Sequence, residues 1–108
     1  MDFIDNYQEI SSFIDKNTPF IIFKHSTRCS LSAQAKKEFE EFIQESNPTY
    51  TAIKVIEERV VSNKIAENTG ITHQSPQAIL MKGEEILWHA SHQAITTQEL
   101  NKQWNKHA

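Results

Sequence analysis

The chain of 108 residues is long enough for one domain with a modest core, and its 38% apolar and 23% charged content is ordinary for a globular protein. The formal net charge is −3 without a basic run, which argues against nucleic acid as a partner. No apolar stretch approaches the roughly 20 residues that span a membrane, and no signal-peptide pattern is present. One cysteine excludes an internal disulfide framework. We therefore expect a single domain over residues 1–108, a monomer or weak dimer, in the reducing cytoplasm.

The first half of the chain alternates between helical and strand patterns. Apolar residues at helical spacing predict a helix over residues 3–15. Five apolar or proline residues without alternation, at positions 19–23, predict a buried strand over residues 19–24. An apolar stripe that includes Leu31 predicts an amphipathic helix from residue 30 to about residue 45. The β-branched segment 50–56 then predicts a second strand.

The second half of the chain predicts a helix, a hairpin and a last helix. Residues 62–69 indicate a short helix, and the runs 77–81 and 84–89 flank a glycine-containing turn. Thr96 or Thr97 can cap the final helix. The order α-β-α-β-α-β-β-α predicts an α/β fold, because the strand–helix–strand unit gives a parallel pair and the hairpin an antiparallel one. The result is a mixed four-stranded sheet with helices on both faces.

Cys29 lies between the first predicted strand and the second predicted helix. Unpaired N–H groups and the macrodipole at a helix N-terminus favour an anion, so the pKa of a thiol at this position is expected to be low. The nearby Lys24, His25 and Arg28 would favour the thiolate further. The polar neighbours of Cys29 favour a functional thiol over a buried, inert one.

Two serines follow the cysteine within the first predicted turn. Ser30 and Ser32 both add hydroxyl donors near the thiol. Ser32 stands three positions after Cys29, where a dithiol enzyme would place its second cysteine. The chain therefore offers one thiol and no resolving partner.

Pro76 comes directly before the hairpin, after a polar stretch over residues 72–75. A cis-proline that faces the cysteine and an ordinary trans-proline at the first residue of a strand both fit this place. The residues alone favour the trans form, because only about 5–6% of X–Pro bonds in folded proteins are cis.

The histidines do not predict a metal site. His89 and His92 are three positions apart, but no third ligand joins them, so we expect no bound metal. His25 and His73 could approach Cys29, where a histidine can tune a thiolate. Structural roles for both remain the expectation.

These residues resemble a thioredoxin-like protein, and most closely a monothiol bacilliredoxin of the YtxJ type. The family pattern Lys-His-Ser…Thr-x-Cys-x-x-Ser is matched by Lys24-His25-Ser26 and Thr27-Arg28-Cys29-Ser30-Leu31-Ser32. Family members often carry proline directly after the cysteine, where this chain has Ser30, which offers an N–H and a hydroxyl to the thiolate. The downstream matches are Arg59, Ser62-Asn63, Ile65-Ala66, Thr69-Gly70, His73 and Ser75-Pro76-Gln77-Ala78.

The resemblance implies that Pro76 is cis and lies against Cys29. It implies an enzyme whose catalytic Cys29 removes bacillithiol from mixed disulfides on client proteins. Bacillithiol would then be the low-molecular-weight co-substrate, no cofactor would be tightly bound, and S-thiolated proteins would be the partners. Thr27 belongs to the expected thiol-binding set, and the backbone of Ser75 would pair with the bound thiol. Lys24 and Arg28 are either ligands for the bacillithiol carboxylates or ordinary solvated charges, and both interpretations stay open.

Two other functions remain open at this point. A glutathione-type monothiol glutaredoxin would carry Cys-Gly-Phe-Ser and a later Gly-Gly, whereas this chain has Cys29-Ser30-Leu31-Ser32, and its only glycines are Gly70 and Gly83. A non-catalytic thioredoxin-like binding module would keep Cys29 idle. A comparison of turnover with glutathione and with bacillithiol tests the first alternative. The second is tested by whether Cys29→Ser changes the capture of client proteins.

Overall fold

The structure, a computed structural model, describes all residues from 1 to 108. Its helices and strands follow one another in the predicted order, with one short 3-10 helix added after the last strand. None of the helices is both long and apolar enough to cross a bilayer. The bounds are α1 Gln8–Lys16, β1 Pro19–His25, α2 Ser30–Ser46, β2 Tyr50–Lys54, α3 Arg59–Thr69, β3 Gln77–Lys82, β4 Glu85–Ser91, the 3-10 helix His92–Ala94 and α4 Thr97–His107.

The four strands form one mixed sheet in the order β2-β1-β3-β4. β1 and β2 are parallel, as the strand–helix–strand unit requires, and β3 is antiparallel to both β1 and β4. β1 therefore lies between β2 and β3. At the edge of the sheet where β1 ends and leads into α2, the neighbouring strand β3 begins just after Pro76. The predicted α/β class and mixed four-stranded sheet are confirmed.

Side chains alternate along β1 and divide the core into two layers. Ile21 and Phe23 pack with α2 and α4, and the Phe23 ring stacks on Phe39 of α2 with 4.6 Å between ring centroids. Phe20 and Ile22 pack with α1 and α3 on the other face. Each such fully buried side chain contributes about 1.5–3 kcal/mol. Both faces of the sheet are covered, as the unbroken apolar run predicted.

The first helix begins later than its periodicity predicted. Residues 3–7 lie outside α1, and the Ile4 N–H donates a hydrogen bond of 2.9 Å to the Ala52 carbonyl of β2. The Phe3 ring lies 5.8 Å from the His25 ring, measured between centroids. The segment therefore covers the outer edge of β2. Apolar spacing did not separate this arrangement from an extra helical turn.

The boundary between β2 and α3 also differs from the prediction. β2 ends at Lys54 rather than residue 56, and α3 begins at Arg59 rather than residue 62. The Glu58 N–H bonds to the Lys54 carbonyl at 2.8 Å, which turns the chain before it can extend the strand. At α4, Thr96 is the cap, since its hydroxyl oxygen accepts the Glu99 N–H at 3.2 Å.

Candidate active site

Cys29 is the N-cap residue of α2 and is partly exposed. Its backbone is extended, and its carbonyl accepts the N–H groups of Ser32 at 3.1 Å and Ala33 at 3.2 Å. The apolar run of β1 stops at Phe23 and the strand itself ends at His25, while α2 starts where the amphipathic stripe begins. The thiol therefore lies at the first turn of a helix, where backbone N–H groups have no helical acceptor.

The pKa of the Cys29 thiol is lowered chiefly by hydrogen bonding from the backbone N–H of Ser32. Partial burial acts in the opposite direction, and the Leu31 N–H and the Ser32 hydroxyl lower the pKa further. The donors are those that the helix N-terminus supplies. Lys24, His25 and Arg28, the cations expected to help, are not among the causes of this shift.

Ser32 connects the loop before the helix to the thiol. Its side chain is fully buried, and its hydroxyl oxygen accepts the Ser26 N–H at 3.2 Å. Because that bond uses an acceptor site, the hydroxyl hydrogen stays free to donate to the sulfur. Ser30 is exposed and makes no contribution to the lowered pKa. The expected donor role therefore falls to Ser32 and not to Ser30.

His25 lies under the same face of the sheet as α2. Its ring is buried beside Phe23 and Phe3, and burial lowers its pKa. Its Nδ1 atom is buried and has no hydrogen-bond partner. A neutral imidazole at this place packs beneath the loop that carries Cys29 and supplies no positive charge to the thiolate.

Lys24 requires a correction, because it lies on the face of the sheet opposite to α2. It is fully buried, and its Nζ atom donates to the Ser62 carbonyl of α3 at 3.2 Å. Nζ also lies 3.2 Å from His73 Nδ1, so His73 contacts Lys24, and it is not among the groups that shift the pKa of Cys29. Lys24 is neither a solvated charge nor a surface ligand for a carboxylate, because strand alternation turns it away from the thiol.

The other predicted residues of the β1–α2 loop are at the surface. Thr27 and Arg28 are exposed, and the Arg28 guanidinium makes no ion pair or hydrogen bond within the chain. Only the Arg28 backbone is held, with its N–H 3.4 Å from Ser26 Oγ. Arg28 is therefore the cation next to Cys29 that remains available to an external carboxylate.

The peptide bond between Ser75 and Pro76 is cis, which is the isomer implied by the resemblance. Gln77, the next residue, pairs in register with Lys24, so Pro76 lies beside the end of β1 that leads to Cys29. The Pro76 carbonyl accepts the His92 N–H at 3.1 Å. Neither the N–H nor the carbonyl of Ser75 makes a hydrogen bond within the chain. The backbone of Ser75 is thus free to pair with a bound peptide or thiol.

A groove along the first turns of α2, lined by Leu31 but not by Cys29, was not predicted from the sequence. Its volume is about 280 Å³, and it runs between α2 and the segment after β4. Leu31, expected in the core, is 38% exposed and lines this groove. His92 lines the other wall, with a backbone φ of 56°. Leu31, a hydrophobic residue two positions after the N-cap thiol, was the one sequence signal for it.

A larger cavity, about 540 Å³, lies on the opposite face between α1 and α3. Tyr7, Asn68 and Met81 are among its lining residues, and none of the residues around Cys29 reaches it. Of these two cavities, the groove at Leu31 is the one that borders the first turn of α2. No group of three or more histidine, cysteine or acidic residues comes together that could hold a metal ion.

The fold and the site together define a thioredoxin-fold protein with one cysteine at the helix N-terminus. A solved structure assigned as an oxidoreductase with a thioredoxin fold is 29% identical, with a TM-score of 0.85 over 93% of this chain and 89% of that one. The family model of the monothiol bacilliredoxin BrxC matches residues 3–100. The chain belongs to the monothiol bacilliredoxin family.

More distant thioredoxins share the fold alone. Fasciola hepatica thioredoxin superposes with a TM-score of 0.79 at 12% identity and covers 100% of both chains. Mitochondrial thioredoxin 3 from Saccharomyces cerevisiae gives 0.73 at 18% identity, over 98% of this chain and 94% of that one. These matches extend over helices and strands far from Cys29, so they describe the architecture and not the thiol chemistry.

Proposed function

We propose that this protein removes bacillithiol from mixed disulfides on client proteins, with bacillithiol as co-substrate. The observation that carries the proposal is the single thiol at the α2 N-terminus, with its pKa lowered, and buried Ser32 where a resolving cysteine would stand. Membership of the monothiol bacilliredoxin family supports the choice of thiol. A protein with this function would act in the cytoplasm on S-thiolated clients.

The first step is a thiol–disulfide exchange at Cys29. Its thiolate attacks the bacillithiol sulfur of the mixed disulfide, and the bond between that sulfur and the client sulfur breaks. The client thiolate leaves and takes up a proton. Cys29 then carries bacillithiol as a mixed disulfide, and the client is reduced. The N–H groups of Leu31 and Ser32 favour the attacking thiolate.

The second step needs a second small thiol, because the chain has no other cysteine. A bacillithiol thiolate attacks the bacillithiol sulfur held on Cys29, and Cys29 leaves as a thiolate. The products are bacillithiol disulfide and the reduced protein, so no electrons are left over. The lowered pKa of Cys29 also helps here, since a more acidic thiol is a better leaving group.

Arg28 and Ser75 are the proposed binding groups. Bacillithiol carries malate carboxylates, and a free guanidinium binds a carboxylate through two parallel hydrogen bonds. The unpaired backbone groups of Ser75 would hold the peptide-like part of the substrate in β-fashion.

The test is intact-mass analysis after incubation with a bacillithiolated client peptide. Wild type should gain one bacillithiol and release reduced peptide, and Cys29→Ser should do neither. Ser30→Ala is the matched control, since it alters an exposed hydroxyl next to the thiol and should react like wild type. An adduct that persists in Cys29→Ser, or its absence in wild type, contradicts the proposal and favours an idle binding module.

The choice of small thiol is tested by turnover with bacillithiol and with glutathione. Arg28→Ala should slow bacillithiol turnover by about tenfold through loss of a charge-assisted contact. Lys37→Ala, which removes an exposed charge elsewhere on α2, should leave the rate unchanged. Faster turnover with glutathione than with bacillithiol would favour the glutaredoxin-type alternative.

A further inference from the structure

The loop between α3 and β3, residues 70–76, is held in place by side chains. No backbone–backbone hydrogen bond joins residues 71–75 to any other part of the chain. Gln77 Nε2 donates to the Thr72 carbonyl at 3.2 Å, and Lys24 Nζ and Ser62 Oγ each lie 3.2 Å from His73 Nδ1. The free backbone of Ser75 follows two residues after His73, so these contacts fix the position of Ser75.

Lys24 and Gln77 form the base of this attachment. They are register partners on β1 and β3, they point to the same face of the sheet, and they are 0% and 1% exposed. Gln77 reaches Thr72, and Lys24 reaches His73. The loop thus rests on two buried polar side chains from the strand end nearest to Cys29.

The protonation state of His73 follows from Lys24. An ammonium group can only donate, so Nδ1 must accept and the ring proton lies on Nε2. Burial lowers the pKa of His73 most, and the charges of Lys24 and then Arg59 lower it further. The contact therefore pairs a charged lysine with a neutral histidine.

Stability alone does not account for a lysine at this position. Lys24 is fully buried, and no carboxylate lies within ion-pair distance of it. Burial lowers its pKa to about 8, which means that the folded protein disfavours its charge. A buried charge without an ionic partner costs stability, and an apolar side chain of similar length would avoid that cost.

We propose that Lys24 is a positioning residue, which holds the loop of Ser75 and Pro76 from beneath the sheet so that a client peptide can pair with Ser75. The proposal rests on the proposed thiol–disulfide exchange at Cys29 and names a determinant of its client side. Lys24 does not touch the thiol, because it lies on the other face of the sheet. Its loss should therefore weaken peptide capture and leave the intrinsic reactivity of Cys29 unchanged.

Two disulfide reagents separate these effects. The first is an uncharged peptide whose one cysteine is joined to 2-nitro-5-thiobenzoate, and the second is the symmetric disulfide of that same aromatic thiol. In each case the Cys29 thiolate attacks one sulfur, the disulfide breaks, and the coloured nitrothiobenzoate leaves with the electron pair. The ratio of the two rates measures the contribution of the peptide and cancels the ionisation of Cys29.

Lys24→Met should lower the peptide rate about ten- to a hundredfold through misplacement of Ser75, and leave the rate with the aromatic disulfide unchanged. Lys82→Met is the matched control, since it removes one exposed lysine charge from the neighbouring strand. Urea unfolding should show that Lys24→Met is at least as stable as wild type. Function should therefore fall without a loss of stability, an outcome that a merely structural role would not give.

The pH profile supplies a second readout. The charged and titratable groups around the contact are Lys24 itself, His73 from the loop and Arg59 from α3, while β2 and β3 present uncharged Ile53 and Gln77. The wild-type rate ratio should fall above pH about 8, as Lys24 loses its charge. It should also fall at acidic pH, as a proton on His73 Nδ1 removes the acceptor.

The variants should change this profile in distinct ways. Lys24→Met should give a ratio that does not vary with pH. His73→Asn keeps an acceptor oxygen near the place of Nδ1, so it should preserve the alkaline fall and lose the acidic one. Equal losses with both reagents in Lys24→Met, or no loss with either, would overturn the positioning role. Wild type that reacts with neither reagent would instead refute the reactive thiol, and with it the proposed function.

Discussion

Cys29 lies at the start of α2, whereas Lys24, near the end of β1, points to the opposite face of the sheet, and opposite physical effects set the protonation of the two groups. The thiol lies at the surface, where backbone N–H groups of α2 lower its pKa and so favour the charged form. The ammonium lies under α3, where burial lowers its pKa and so disfavours the charged form. Proximity in the chain therefore says little about electrostatic proximity. The face of the sheet decides which groups a side chain meets.

The largest difference between the two faces should appear in the core. Phe39 is fully buried between Phe23 and Phe42 on the thiol side, so Phe39→Ala should cost about 3–5 kcal/mol of unfolding free energy. Phe13→Ala, at a half-buried ring on the other face, should cost less. Urea unfolding followed by circular dichroism measures both. Equal losses would show that the two layers contribute alike.

Lys24→Met, unlike Phe39→Ala, should not lower the unfolding free energy. Removal of a buried charge that lacks an ionic partner should leave the unfolding free energy at pH 7 unchanged or raise it by about 1–2 kcal/mol. A loss of several kcal/mol would mean that the contacts to Ser62 and His73 outweigh the burial of the charge.

The unfolding free energies of the wild type and Lys24→Met should also differ in their dependence on pH. The pKa of Lys24 is lowered from 10.5 to about 8 in the folded state, so the unfolded chain binds more protons between these values. The wild-type unfolding free energy should therefore rise with pH over this window, relative to Lys24→Met. Urea titrations at several alkaline pH values give the difference, and a flat difference would contradict the buried charge.

Alkylation of Cys29 tests the lowered pKa of the thiol on the α2 side of the sheet. The rate of reaction with iodoacetamide should follow an apparent pKa below the value of about 8.5 for a free cysteine. The physical cause is hydrogen bonding from the first turn of α2. A midpoint at or above the free value would remove that effect.

The smallest expected change is at Ser32. Ser32→Ala keeps the backbone N–H, which lowers the Cys29 pKa most, and removes only the hydroxyl. The alkylation midpoint should rise slightly and stay below that of a free thiol. Ser30→Ala should leave the midpoint unchanged, because the Ser30 side chain is not among the groups that shift the pKa of Cys29. A larger rise for Ser30→Ala than for Ser32→Ala would reverse this assignment.

Much of the fold follows from sequence periodicity, because helices and strands each bury a regular set of residues. The strand before Cys29, the helix after it and the hairpin after Pro76 were all predicted. The arrangement of residues 3–7 was not predicted. Phe3 contacts His25 and Ile4 contacts β2, so these apolar residues do not form part of a helix face. Local spacing does not distinguish such contacts from a helix face.

The candidate site was predictable only where it depends on local chain order. Cys29 at a helix start and Ser32 one turn later follow from the sequence. The buried position of Lys24 does not follow from the sequence in the same way. Strand alternation, which places Lys24 on the same face as Phe20 and Ile22, was nevertheless a usable signal in a strand covered on both faces. Its contact with His73 depends on a long-range arrangement that no short motif encodes.

The turn at Gly83 lies at the other end of the sheet from Cys29. Gly83 has a φ of 58°, and a Cβ atom added there would collide with the side-chain amide of Asn17, the left-handed residue that ends α1. In a mutational scan this turn should tolerate substitution as poorly as the thiol does. Its intolerance would be steric and would appear as lost protein abundance, whereas intolerance at Cys29 would appear in folded protein. Abundance and redox phenotype, scored together, would therefore separate the two ends of the molecule.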